Sequence, residues 1–223
     1  MPWRTFARGG LHGLDPSFMF VYMSTAPELP PDLPRPEDDG ACAHLPGTKL
    51  PDIGLSSTDG ITVNLCKLAG RTIVYCYPRT GQPGQTIPES WNAIPGARGC
   101  TNQSCSFRDH FSELVAAGAD HLFGLSTQDV DYQREAVDRL HLPFSLLSDK
   151  ELKFADALNL PRFQYDGMTL IKRLTLEIDN GTVTHVFYPV FPPDRSAEQT
   201  VEWLRLNPAL LKSSELGHHH ASD

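Results

Sequence analysis

The residues with the most evident chemistry are two cysteines, Cys100 and Cys105, in the stretch Ile94–His110, IPGARGCTNQSCSFRDH. The breaker pair Pro95-Gly96 and then Arg98-Gly99 deliver the chain to Cys100, which stands where a helix should begin. Apolar residues recur at helical spacing after it, at Phe107, Phe111, Leu114 and Val115, and counting back seven from Phe107 lands on Cys100. Cys100 therefore starts on the inward stripe. Cys105, five residues on, lies about 140° further round a helix of 3.6 residues per turn and is expected to point away from that stripe. A thiol tucked in at a helix start and a second held on the opposite face suggest thiol redox chemistry.

An ordinary thiol, with a pKa near ~8.5, is only a few per cent thiolate at neutral pH, and the thiolate is the nucleophile. Bringing such a thiol to about 6 takes roughly 3 kcal/mol, at about 1.36 kcal/mol per unit. A helix N-terminus supplies about 0.3–1 kcal/mol, or about 2 in a favourable, partly buried setting. A cation is therefore required as well. The first turn, Thr101–Ser104, holds no acid, and Arg79, Arg98, Arg108 and Arg173 are the candidate cations. Arg173 is the most telling, because it interrupts the apolar, alternating stretch Ile171–Ile178, and a buried arginine needs an anionic partner. On an edge strand it would instead be an ordinary surface arginine.

Other uses of the two thiols fit less well. A CxxxxC pair without a second pair or clustered histidines is poor zinc spacing, and the adjacent His218–His220 in the tail are a weak metal cue. In an unbroken helix, α-carbons five residues apart lie roughly 8–9 Å from each other, beyond the ~7 Å that a disulfide bridges without backbone movement. A Cys100–Cys105 disulfide therefore requires the helix start to unwind, which makes it a switch.

The elements that must hold these residues follow from periodicity and turn signals. Asp52–Ser57 and Ile61–Leu65 read as a β-hairpin about Asp59-Gly60, and Arg71–Tyr77 as a buried central strand ended by Pro78. Within that strand Cys76 reads as a buried, inert thiol. Cys42 and Cys66 have no reactive context. Residues 79–99, rich in glycine and proline, read as a long loop. The Cys100 helix should run to about Gly118. Strands are expected at His121–Ser126 and Leu142–Leu147, a helix capped by Asp129 to about Leu140, and a short helix at Asp149–Leu158. Ile171–Ile178 and Thr182–Tyr188 form a hairpin about Asn180-Gly181, and Ser196 caps a final helix ending before Pro208. Strands alternating with helices, with hairpins at the edges, make an α/β sheet covered on both faces.

The chain has 223 residues, 40% hydrophobic and 21% charged, enough apolar material for one sizeable core. A net charge of −8 argues against nucleic acid or an anionic membrane as partner, and no apolar run approaches the roughly 20 residues of a membrane span. Five cysteines in so long a chain do not read as a secreted disulfide framework. Residues 1–22 carry Arg4 and Arg8 and no acid before Asp15. They read either as a targeting segment or as an over-extended start, with translation beginning at Met23. Residues 24–48, rich in proline and acid, read as a tail without its own core. The organisation expected is a flexible extension over 1–45, a domain over 46–210 and a flexible tail over 211–223.

The block GCTNQSCSFRD, following Tyr77-Pro78 at the end of a core strand, resembles the peroxiredoxins. The likeness is to the two-cysteine branch named for the bacterioferritin comigratory protein (the Q type), with its GCT–x–x–x–C–x–x–RD motif. The resemblance spans about residues 46–206. It implies a thioredoxin-like fold with an N-terminal hairpin extension, with Cys100 as the peroxidatic and Cys105 as the resolving thiol. Arg173, in KRLTLEID, matches the arginine that helps hold thiolate and peroxide. The implied reaction is reduction of hydrogen peroxide and organic hydroperoxides; the alternatives are a one-cysteine peroxidase resolved by external thiol and a non-enzymatic redox-sensing or interaction module on the same fold. Its reductant would be thioredoxin or a glutaredoxin-like dithiol; no cofactor or metal is implied, and the protein would be a cytoplasmic monomer or weak dimer, or organelle-targeted if residues 1–22 are a transit peptide. The chain departs from the motif before Cys100. Ala97 and Ala93 stand where the family has a hydroxyl residue and a proline, and the interval from Pro78 is longer than usual. The missing hydroxyl is assigned to Thr80, with residues 81–97 an excursion, or else to Thr101.

Overall fold

A computed structural model describes residues 28–208; the expectations for residues 1–22 and for His218–His220 lie outside the described residues. The hairpin at the start of the domain is present as β1 (Gly54–Ser57) and β2 (Thr62–Asn64). Its Asp59-Gly60 turn closes with Gly60 N–H on the Ser57 carbonyl at 3.0 Å. β3 (Arg71–Cys76) is buried along its whole length, and β4 (His121–Ser126), β5 (Leu146–Ser148), β8 (Leu174–Asp179) and β9 (Thr182–Phe187) complete the main sheet. Among the described residues the seven strands run in the order β2-β1-β5-β4-β3-β8-β9. β3 pairs parallel with β4 and antiparallel with β8, so the sheet is mixed.

The alternation of β3 sorts the core into two layers, because successive side chains on a strand face opposite ways. Ile73, Tyr75 and Tyr77 point into one apolar cluster, with α2 (Cys100–Asp109), α3 (Phe111–Ala116), α4 (Val130–Leu140) and α6 (Ser196–Leu206). Val74 and Cys76 point into the other, covered by α5 (Lys153–Ala157) and by Cys42 and Leu45. Helices thus lie on both faces, as expected. No helix among the described residues is long and apolar enough to cross a membrane.

Several elements differ from the sequence reading, each for a local reason. The segment before residue 46 was expected to lack a core, yet Cys42 and Leu45 are buried, and Gly47 N–H reaches the Val183 carbonyl at 2.8 Å. Two apolar residues in a proline-rich, acidic stretch suffice to anchor it. The third strand is shorter than Leu142–Leu147, because Pro143 has no N–H for the ladder; only Leu146–Ser148 pairs, with β4 and β1. The Cys100 helix does not run on to Gly118. It breaks at His110 (φ −97°, ψ 11°), whose ring nitrogen lies 2.9 Å from the Ser106 carbonyl. Ser196 is not the cap of α6. It is the first helical residue, after a 3-10 turn at Pro193–Arg195, and its hydroxyl is buried.

The largest difference concerns Ile171–Ile178, which is not one strand. A second, two-stranded sheet was missed: β6 (Arg162–Tyr165) pairs antiparallel with β7 (Met168–Ile171). Asp166 and Gly167, both at positive φ, form the turn. Lys172 and Arg173 then redirect the chain into β8, so Arg173 sits at a joint between strands. The long loop also holds a short helix, α1 (Glu89–Asn92). Its Trp91 is buried against Phe163 and Tyr165 of the small hairpin, with Tyr165 edge-on at 4.9 Å.

Burial of thiols and phenols sets a pH dependence of stability. Burial pushes Cys42 up to about 12 and raises Cys76, Cys105, Tyr75 and Tyr77. A group whose folded pKa lies above its unfolded value favours the fold fully below the unfolded pKa and loses that contribution as pH rises. The urea midpoint is therefore expected to fall between pH 8 and pH 10.5. The slope is up to about 1.4 kcal/mol per pH unit for each group that stays protonated in the fold. A flat midpoint across that range contradicts it.

Candidate active site

Cys100 is the first residue of α2, and Gly99 before it adopts φ 99°, ψ 21°. A glycine is required there twice over: the conformation is left-handed, and a Cβ would collide with Cγ of Pro193. The Gly99 carbonyl accepts the first helical bond, from Gln103 N–H at 2.9 Å. Cys100 is 3% exposed. Its sulfur lies 3.2 Å from Nη2 of Arg173, 3.4 Å from the backbone N–H of Arg79 and 3.5 Å from the Ala97 carbonyl.

Arg173 is equally buried, and the ion pairs among the described residues include none for it. Its two Nη groups meet neutral acceptors and sulfur, while its Nε is buried without a hydrogen-bond partner among the described residues. Nη2 donates to the carbonyls of Ala97 (3.3 Å) and Arg98 (3.2 Å), and Nη1 donates to Oε1 of Gln103. Gln103 is fixed in turn by Nε2 on the Ser196 hydroxyl at 3.3 Å, beside the Thr175 hydroxyl. The sequence reading missed Gln103 and treated Ser196 as a cap. The available signal was the spacing: residue i+3 shares a helix face with residue i, so a glutamine three after Cys100 had to be buried with it.

The other candidate cations serve elsewhere. Arg79 meets the sulfur through its backbone, while its guanidinium lies 3.8 Å from the Met168 sulfur and over the Tyr132 ring. Arg108 pairs with Asp109 and donates to the Leu140 carbonyl. Arg98 lends its carbonyl to Arg173 and leaves its own Nε buried without a hydrogen-bond partner among the described residues.

Cys105 departs from expectation. It does not point outward: it is 3% exposed and packs in the same apolar cluster as Cys100. The far side of α2 is covered, since Arg108 ties it to the end of α4. Burial raises the Cys105 thiol, with Arg108 opposing that shift. Both cysteines are free, and α2 is continuous between them.

Thr80 lies on the same cavity as Cys100. Its hydroxyl and N–H both bond Oε1 of Gln128, at 3.1 and 3.0 Å, and its carbonyl accepts from Tyr132. Thr101 lines that cavity as well, and at position 97 the backbone carbonyl of alanine is what faces Arg173 and Cys100. The cavity has a volume of about 560 Å³.

A mixed, helix-covered sheet with a free thiol at a helix start beneath a buried guanidinium is the architecture of a thiol redox protein. The Redoxin family pattern matches residues 45–202. The chloroplastic peroxiredoxin Q of Oryza sativa subsp. japonica is 32% identical over 161 residues, 71% of this chain and 66% of that protein. Peroxiredoxin Bcp of Escherichia coli (strain K12) is 31% identical over 167 residues, 71% of this chain and 94% of that protein. The chain belongs to the Redoxin family, on its peroxiredoxin Q and Bcp branch. It spans 66% of the length of the two Oryza sativa relatives it matches. The solved structure of peroxidoxin BcpB from Mycobacterium tuberculosis superposes with a TM-score of 0.60 at 24% identity, covering 74% of this chain and all of the other. Peroxiredoxin Q from Xanthomonas campestris gives 0.57 at 23%, covering 71% of this chain and 95% of the other. These two likenesses show the thioredoxin-like fold.

Arg173→Met removes the charged donor to sulfur while keeping the length of the side chain. The rate of Cys100 alkylation by iodoacetamide at pH 7 is expected to fall by roughly tenfold or more, the scale of one charge-assisted hydrogen bond. Peptide mass mapping of the alkylated site measures it, and an unchanged rate would detach Arg173 from the thiol.

Proposed function

We propose that this protein is a thiol-dependent peroxidase acting on hydrogen peroxide and organic hydroperoxides. The observation that carries the reading is the 3.2 Å contact of Arg173 with the Cys100 sulfur, on the wall of a cavity that opens to solvent. The Cys100 thiolate attacks the terminal oxygen of ROOH. A sulfur–oxygen bond forms, the O–O bond breaks, and the departing alkoxide or hydroxide takes up a proton to leave as alcohol or water. Sulfur is oxidised by two electrons to the sulfenic acid and the peroxide is reduced by two.

Arg173 steadies negative charge on sulfur before attack and on the peroxide oxygens during it. Thr80 supplies the supporting hydroxyl: rotation about its side-chain bond transfers that group from Gln128 to a bound peroxide. The first turns of α2 then unwind. The Cys105 thiol condenses with the sulfenic acid, forming the disulfide and releasing water. A dithiol donor, thioredoxin or a glutaredoxin-like protein, reduces that disulfide by exchange and leaves as its own disulfide. We place the chain in the cytoplasm as a monomer or weak dimer, or in an organelle if residues 1–22 are a transit peptide. The relatives named chloroplastic are a precedent for the second placement.

Peroxide consumption coupled to thioredoxin, its reductase and NADPH tests the reading. Wild type is expected to turn over, and Cys100→Ser to fall to the uncatalysed background. Cys105→Ser is expected to consume one peroxide per chain and then stop. Unchanged turnover after Cys100→Ser removes the peroxidase reading. A peroxide-treated protein without a Cys100–Cys105 disulfide by peptide mapping, yet still turning over with small thiols, makes it a one-cysteine enzyme instead.

A further inference from the structure

Two donors reach the Cys100 sulfur. Arg173 is tied down by its own network, whereas the Arg79 N–H, at 3.4 Å, is a backbone donor whose place depends on the course of the chain. β3 ends at Cys76, and Tyr77 N–H still bonds the Leu125 carbonyl at 3.0 Å. Pro78 then has no N–H with which to continue. Beyond Thr80 the chain leaves the core: from Gly81 to Ser90 every residue except Gln82 is exposed. Core packing does not fix that stretch. The Arg79 N–H therefore needs a fixed point between itself and the excursion.

Thr80 is that point. It is 1% exposed, and the side chain of Gln128 grips its backbone with both polar atoms. Oε1 accepts from the Thr80 N–H at 3.0 Å, and Nε2 donates to the Thr80 carbonyl at 3.2 Å. The carboxamide thus pairs with residue 80 as a neighbouring strand would, through one acceptor and one donor. The same Oε1 also accepts from the Thr80 hydroxyl at 3.1 Å, and an amide oxygen has two lone pairs for the two bonds. Tyr132 adds its hydroxyl to the Thr80 carbonyl at 3.1 Å and lays its ring against the Arg79 guanidinium. Gln128 is itself fastened to the sheet. The Ser148 hydroxyl donates to its carbonyl at 2.7 Å, and its N–H donates to the Ser126 hydroxyl at 3.3 Å. Gln133, from α4, donates to that same Ser126 hydroxyl and to the Leu147 carbonyl. β4, β5 and the start of α4 therefore converge on Gln128.

We infer that Gln128 is a positioning residue, which by gripping the Thr80 backbone holds the Arg79 N–H on the Cys100 sulfur and isolates that contact from the exposed excursion. The inference extends the peroxidase reading and rests on it for the role of Cys100. Gln128 acts through residues 79 and 80. Its grip outlasts release of the Thr80 hydroxyl, because the bonds to the Thr80 N–H and carbonyl remain. The hydroxyl is then free to turn toward a peroxide while Arg79 stays on the sulfur.

The test uses the reduced full chain, isotope-labelled at the arginine nitrogens for NMR. Cys100→Ala, which lacks the sulfur, defines the Arg79 amide resonance without its acceptor. Gln128→Met keeps the length of the side chain and loses both polar atoms. Its Arg79 resonance is expected to move most of the way from the wild-type position to that reference. Alkylation of Cys100 by iodoacetamide at pH 7 is expected to slow by roughly threefold to tenfold, the scale of one neutral hydrogen bond, because the thiolate is what reacts and an N–H donor steadies it. The direction separates positioning from a structural role, since a wall that is merely loosened exposes the thiol and speeds alkylation. Gln128→Ser, too short to reach Thr80, is expected to give the same two changes and takes the place of Gln128→Met if that variant does not fold. An Arg79 resonance at its wild-type position, or alkylation that is unchanged or faster, overturns the inference. Neither readout uses a peroxide, so its failure is distinguishable from failure of the peroxidase reading.

Discussion

A buried guanidinium without a carboxylate partner among the described residues is the constraint to which the rest of this structure answers. Taking a lone cation out of water costs several kcal/mol unless hydrogen bonds and an opposing charge replace the solvent. Arg173 is given two carbonyls, the Gln103 amide oxygen and a thiol sulfur. Of those four acceptors, the sulfur alone can become an anion. In the proposed cycle Arg173 therefore faces the one acceptor that takes on new bonds, and the same donors can hold an oxygen added to that sulfur. Gln103, Ser196 and Thr175 make no contact with sulfur in this network. They hold the fork in place, so that the charge stays directed at residue 100 instead of turning toward water.

That arrangement makes α2 carry two opposed demands. In the proposed cycle its first turn is rigid to present Cys100 under Arg173, and it also comes apart so that Cys105 reaches the oxidised sulfur. The contacts show where the rigidity ends. Phe107 is fully buried and stacks on Tyr75 at 4.4 Å, nearly parallel, which anchors the helix beyond Cys105. Ahead of that anchor, unwinding breaks the Tyr75–Ser104 bond and the Arg173–Gln103 bond, with a few backbone bonds. These are polar contacts of about 0.5–1.5 kcal/mol each, more for the charged one, a scale that local opening reaches without global unfolding. Cys105 is buried and so shielded from outside reagents, and in the proposed cycle the same opening releases it.

Much of this was legible in the sequence. The Asp-Gly and Asn-Gly hairpins, the largely apolar β3, the Asp129 cap and the pairing of Cys100 with Arg173 follow from turn chemistry, periodicity and the need of a buried arginine for an acceptor. What was hidden depended on tertiary coverage. Cys105 reads as outward-facing from helical angles alone, because nothing local says that α4 closes over that side. Arg173 reads as a strand residue because Met168–Ile171 and Leu174–Asp179 are nearly contiguous; the Asp166-Gly167 turn that folds Met168–Ile171 back onto β6 was the overlooked signal. Leu45 and Cys42 look like tail residues amid prolines, since a composition reading averages away two well-placed apolar side chains.

The segment between Thr80 and Cys100 shows how one departure in sequence propagates into chemistry. With alanine at position 97, a backbone carbonyl takes the place of a side-chain hydroxyl beside the thiol, and a carbonyl can only accept. It can bind Arg173, as it does, but it cannot donate to a peroxide oxygen. Donation then has to come from Thr80, Arg173 or the Arg79 N–H. Of these, Thr80 is at present held by Gln128. Residues 81–97 in turn seat Trp91 on the β6–β7 hairpin and line one side of the cavity over Cys100. A centre whose nearest hydroxyl is missing thus has its substitute donor one hydrogen-bond exchange away: in the proposed cycle Thr80 reaches a peroxide only by giving up Gln128.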